Sequence, residues 1–135
     1  MAQPRCLDLP EEAMRDLPAI TEALVSARYI PADDYEICRE EKILNRVYPL
    51  IENFLSWAYG GVPYQKLSAN MVHFNRPCSI AVPPGSMVII IPNHVATEGA
   101  KVAGQGVAKG TYWEFTKDEH IEPDFHATLV LLEKE

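Results

Sequence analysis

The stretch "MVHFNRPCSIAVPPGSMVIII", Met71–Ile91, decides how the rest of the chain is read. Leu67–Phe74, which runs into it, reads as a strand, and Pro83-Pro84-Gly85 reads as a turn. Proline fixes φ there and glycine accepts the backbone angles that other residues avoid. Met87–Ile91 is then apolar at every position, so both faces of that strand must be covered. One helix covers one face. The second cover has to come from the N-terminal helices or from a second subunit.

Downstream, Lys101–Lys109 and Thr111–Thr116 follow as strands, "KDEHIEPD" reads as a polar turn, and Phe125–Glu133 closes the chain as the last strand. Upstream, "NRVYPLIENFLSWAYGG" carries Leu50, Ile51, Phe54, Leu55 and Ala58 at helical spacing. Pro49 belongs in a first turn, which predicts a helix starting near Arg46–Tyr48 and stopping at Gly60-Gly61. Nearer the N-terminus, Asp8 and Asp16 are each followed two residues later by a proline and read as helix N-caps. Asp33 with Glu36 resembles a capping box and predicts a helix over Asp34–Leu44. A short strand through Tyr35–Leu44 competes with that reading.

The bulk numbers bound the function. With 135 residues, 47% apolar and 23% charged, the chain has the composition of one ordinary globular domain. The run Met87–Ile91 is far too short to span a membrane. The first residues hold early acids and no apolar core of a secretory signal. Three cysteines without C-x-x-C spacing argue against a disulfide framework and a zinc site, and they point to a reducing, cytoplasmic compartment. A net charge of −7 disfavours nucleic acid as a partner. Residues 1–41 hold ten acids against four bases, residues 42–117 three against seven, and residues 118–135 six against one. A mildly basic middle could attract an anionic ligand, although solvated ends and acid-poor buried strands produce the same pattern.

One apolar helix followed by an antiparallel meander resembles the hotdog fold, in which a sheet wraps around a central helix. The segment "VHFNRP…VPPGSMVIIIPNHVATEGAKVAGQGVAKG" is similar to the strand–turn–strand–hairpin region of 3-hydroxyacyl-carrier-protein dehydratases. "FHATLVLLEKE" resembles their final strand, and "YPLIENFLSWA" their central helix, with Glu52 at the place of the catalytic acid. The resemblance implies an α+β, hotdog-like single domain over 1–135. Residues 1–44 would form a mainly helical N-terminal extension and 45–135 the core.

The same resemblance directs the functional reading. Family dehydratases place a histidine ahead of the helix, whereas His73, His94, His120 and His126 all follow it. Hydrolysis of an acyl-thioester is therefore preferred to dehydration, with Glu52 as base or nucleophile and coenzyme A or an acyl-carrier protein bearing the acyl group. Ser56 lies one turn from Glu52, and Tyr48 and Tyr59 extend the same helix face. Asn45, Arg46, Tyr48, Tyr59 and His73 are the expected substrate contacts. No metal or other cofactor is expected, since His73, Glu98, His120 and Glu122 lack ligand spacing. "HATL" is half of a paired phosphoesterase motif with no second half. A homodimer, or a dimer of dimers, is expected in either case, and the competing reading is a non-catalytic hotdog dimer that binds an acyl chain or a protein partner. The position of Glu52 separates the two: facing a groove it favours an enzyme, facing bulk water it favours binding.

Overall fold

The Met71–Ile91 stretch changes sheets twice. Strand β4 (Tyr64–Phe74) lies in a seven-stranded sheet, and the chain crosses at Asn75–Pro77 into β5 (Cys78–Ile80) of a separate four-stranded sheet. The Pro-Pro-Gly turn then returns it to the first sheet as β6 (Ser86–Val95). Ser86 donates its N–H to the Pro83 carbonyl at 3.0 Å, and Gly85 sits at φ +80°. This is a type II geometry, in which only a residue tolerant of positive φ fits the third position.

The structure is a computed structural model that describes residues 4–134 other than 26, 33 and 62. Its remaining elements are β1 (Arg5–Asp8), α1 (Glu11–Val25), β2 (Tyr29–Pro31), β3 (Glu36–Cys38) and α2 (Glu41–Tyr59). After β6 come β7 (Lys101–Val102), β8 (Gln105–Gly106), β9 (Thr111–Phe115), β10 (Glu119–Glu122) and β11 (Phe125–Lys134). The larger sheet has the order β1-β9-β6-β11-β4-β3-β2 and the smaller β5-β10-β7-β8, with antiparallel pairing between the strands.

The alternation of side chains along β6 shows how the layers form. Met87, Ile89 and Ile91 pack into a core shared with α1 and α2, while Val88 and Ile90 pack into a second core shared with the smaller sheet. Along β11, Val130 and Leu132 join the helix-side core, and Phe125 and Ala127 the inter-sheet core. The molecule is thus three layers, with the large sheet in the middle. The second cover expected from N-terminal helices or another subunit is supplied by β5, β7, β8 and β10 of the same chain.

This overturns the hotdog expectation. No sheet wraps α2. It lies beside α1 on the outer face of the large sheet, presenting Val47, Ile51, Phe54 and Leu55 at one-turn intervals. The arrangement is two face-packed antiparallel sheets, jelly-roll-like. The expected helical extension is mixed: β1 pairs with β9 at the sheet edge, and β2–β3 extends the opposite edge beyond β4. The expected division at residue 44 falls inside α2.

Individual elements differ for identifiable reasons. Helix α2 begins at Glu41, with Pro49 well inside it rather than in the first turn. The ring removes one N–H, leaving the carbonyl of Asn45 without its usual partner, but Asn45 is exposed and water can serve. Helix α1 likewise runs unbroken past Asp16 and contains Pro18, so no second helix starts there. The capping box expected at Asp33 lies outside the described residues, and Glu36 begins a strand. Half of "KDEHIEPD" is strand β10, in which only Ile121 turns to the core. Among the described residues, no helix is long and apolar enough to cross a membrane.

Ile90 is fully buried between the sheets, whereas Leu67 is 47% exposed. Ile90→Ala should cost about 3–4 kcal/mol in urea unfolding, and Leu67→Ala should stay within about 0.5 kcal/mol.

Candidate functional site

Glu52 lies on the solvent side of α2. Its carboxylate is 56% exposed and forms an ion pair with Lys66 of β4. Glu52, Ser56 and Tyr59 line a shallow open recess with Leu55, Tyr64, Lys66 and Leu132, so these three expected residues do come together. Asn45 and Arg46 are exposed one to two turns earlier, Tyr48 is half-buried, and none of them lines that recess. The Tyr59 hydroxyl is engaged elsewhere, donating to Glu114 Oε2 at 2.5 Å while Arg5 pairs with Glu114 Oε1 at 2.8 Å. Burial, then the Glu114 carboxylate, pushes the Tyr59 phenol well above its ordinary range.

His73 belongs to a different constellation. Glu36 of β3, His73 of β4, His126 of β11 and His94 of β6 stand in register across four adjacent strands. All are on the helix-side face. His73 Nδ1 is 2.8 Å from Glu36 Oε1, and Nε2 is 2.6 Å from Asp124 Oδ1 in the turn before β11. The His126 ring stacks on His73 with centroids 4.1 Å apart and planes 2° from parallel. Tyr29 of β2 tilts over both rings and anchors its hydroxyl on the Leu24 carbonyl at 2.7 Å. His126 Nδ1 is buried without a protein partner. Burial first, then His73 and His94, pushes the His126 pKa down to about 4, so the ring is neutral at pH 7.

Beside this row the floor of a cleft opens between α1, α2 and the large sheet. Its throat, about 40 Å³, has walls from Leu17, Ile20, Ile51 and Phe54 and a floor from Asn93 and Thr128. The Thr128 hydroxyl lies 3.2 Å from Asn93 Oδ1, and both residues are almost wholly buried. Ala13, Leu50 and Phe54 also line an adjoining, wider recess of about 450 Å³, which Pro10, Asn53, Ser56 and Trp57 complete. Trp57 is 58% exposed. Sequence reasoning missed this cleft, because its walls come from two helices and two strands that only the fold assembles.

The comparisons with known proteins bear on the fold. The chain is similar to a solved structure of an oxidoreductase of the 2OG-Fe(II) oxygenase family from Burkholderia pseudomallei. Identity is 15%, the match covers 96% of this chain and 84% of that one, and the TM-score is 0.59. The likeness is one of fold. No family model matches the chain, and no curated protein matches it. An oxidoreductase family therefore uses this architecture, which is compatible with an enzyme; the thioesterase and dehydratase readings fall with the hotdog fold that carried them.

The residues present do not fit iron and 2-oxoglutarate. Non-haem iron of that kind takes two histidines and a carboxylate converging on one point. Between the sheets the core is Val72, Phe74, Ile90, Phe115, Ile121 and Phe125 with other apolar residues, and among the described residues it offers neither such ligands nor a cation for a dicarboxylate. The unpaired polar atom there is the Trp113 indole N–H, a donor that cannot ligate a metal. On the helix side, the stacked rings of His73 and His126 hold their lone pairs in parallel planes, and both His73 nitrogens already meet carboxylates. His120 on β10 is exposed and pairs with Glu122 alone at 2.6 Å. Among the described residues, no group of three or more His, Cys, Asp or Glu has metal-holding geometry.

Two predictions follow from these placements. The folded chain resists protonating His126, while the unfolded chain accepts the proton at the ordinary 6.5. The contribution is therefore complete above pH 6.5 and drains as pH falls toward 4. Between pH 7 and pH 5 the urea midpoint should report a loss of up to about 2 kcal/mol that His126→Phe removes. Glu52→Gln, at an exposed ion pair, should shift stability by no more than about 0.5 kcal/mol in the same assay.

Proposed function

We propose that the chain binds a small, elongated, uncharged and largely apolar ligand in the cleft between α1, α2 and the large sheet. The observation that carries this reading is the gradient along the cleft. A wide recess with the exposed indole of Trp57 adjoins an apolar throat that ends on the paired hydroxyl and amide of Thr128 and Asn93. Apolar walls with a few convergent polar groups are the usual composition of a small-molecule site. Among the described residues no charged one lines the throat, so a carboxylate carried to its end would be buried without a partner there, at a cost of several kcal/mol. An alcohol or amide tip would be satisfied there. The exposed, salt-bridged Glu52 agrees with binding rather than with catalysis from that helix face.

The test uses N-phenyl-1-naphthylamine, an uncharged fluorophore that brightens in apolar surroundings. The wild-type chain should bind about one probe, and a medium-chain alcohol should displace it more strongly than the carboxylate of equal length. Ala13 lines both recess and throat, so Ala13→Phe should weaken binding by about tenfold or more while moving the melting temperature by only a few degrees. Equal binding in the two proteins, or none in the wild type, would overturn the reading.

A further inference from the structure

The histidine row takes no part in the cleft's walls, and its geometry asks for its own explanation. Both ring nitrogens of His73 face carboxylate oxygens from separate parts of the chain. A carboxylate only accepts hydrogen bonds, and a neutral imidazole has one donor and one lone pair. Two such partners are satisfied together only by a ring carrying two N–H groups. We propose that Glu36, His73 and Asp124 form a proton-held clamp that fastens β3 and the turn before β11 to the large sheet.

The clamp sits at an edge held by a short strand pairing together with the packing of Tyr35 on Phe74 and the buried Cys38. Two residue pairs, Glu36↔His73 and Ile37↔Val72, join β3 to β4, and β2 hangs on β3 in turn. On the other side, Asp124 ties into the Ala96–Thr97 segment through backbone and hydroxyl hydrogen bonds of 3.0 Å. Loss of one proton from His73 to solvent turns an N–H into a lone pair facing a carboxylate, so one of the two contacts becomes repulsive and the weaker-held element is released. The charged and titratable groups facing His73 are Glu36 from β3, Asp124 from the turn, His126 from β11 and Tyr29 from β2, with His94 of β6 on the far side of His126. Cys38 and Glu40 stand behind Tyr29. His126, pressed flat on His73 and buried, stays neutral, which leaves the clamp proton on His73.

Imidazole nitrogen NMR together with amide exchange, followed on the intact chain from acidic to alkaline pH, tests the clamp. In the wild type the His73 ring should show two N–H groups at the acidic end and lose one in a single step. Exchange at Glu36–Cys38, corrected for intrinsic rates, should accelerate by about tenfold over the same step. Asp124→Asn supplies a carboxamide that can accept from an N–H or donate to a lone pair, so its β3 amides should stay protected across the range. His73→Gln, if it folds, should exchange fast at every pH. A His73 ring with one N–H throughout would overturn the proposal. So would a loss of protection in Asp124→Asn with the same pH dependence as the wild type.

Discussion

Burial of β6 and β11 on both faces is the constraint from which the layers follow. β11 is hydrogen-bonded along its whole length to β4 on one side and β6 on the other, so it has no free edge and no free face. A strand in that position needs apolar side chains at odd and even positions alike, and the chain must provide two separate covers. Helices α1 and α2 provide one. The smaller sheet provides the other, and it is built from three excursions of the chain out of the large sheet: β5 between β4 and β6, β7 and β8 between β6 and β9, and β10 between β9 and β11.

That division of labour also separates packing from chemistry. The space between the sheets is filled by close-packed apolar residues, with Trp113, Phe74 and Phe125 among the largest. Polar groups gather instead on the helix side of the large sheet: Asn93 and Thr128 at the cleft floor, and His73, His94 and His126 beyond them. An architecture similar to that of an oxidoreductase of the 2OG-Fe(II) oxygenase family is here built around an apolar inter-sheet core, with the polar groups on the opposite face of the large sheet.

Much of the strand layout was legible in the sequence. Met87–His94, Thr111–Thr116 and Phe125–Glu133 fall on β6, β9 and β11, because long apolar or alternating runs leave little choice. The demand of Met87–Ile91 for two covers was also legible, but its source was not. β5, β7, β8 and β10 are two to four residues long; β5 turns two residues to the core, β7 and β10 one each and β8 none, which no periodicity exposes. The hotdog resemblance filled that gap with the wrong architecture, since a helix plus a meander fits either fold. The histidine row did leave a trace: "HF" at the end of β4 and "FH" at the start of β11 are mirror images, and antiparallel pairing sets His73 against His126 and Phe74 against Phe125. Reading it required knowing that those two strands are neighbours. Glu52 drew attention through the resemblance alone, and its place on the wet side of α2 could not be read from a helix whose start Pro49 disguised.

On the proposed function, the helix side of the large sheet receives the ligand and the inter-sheet space does not. Methyl and amide chemical-shift mapping with an uncharged apolar probe tests it directly. Perturbations centred on Leu17, Ile51, Ile91 and Thr128 are the predicted result. Perturbations centred on Val72, Val102, Phe115 and Ile121, between the sheets, would contradict it.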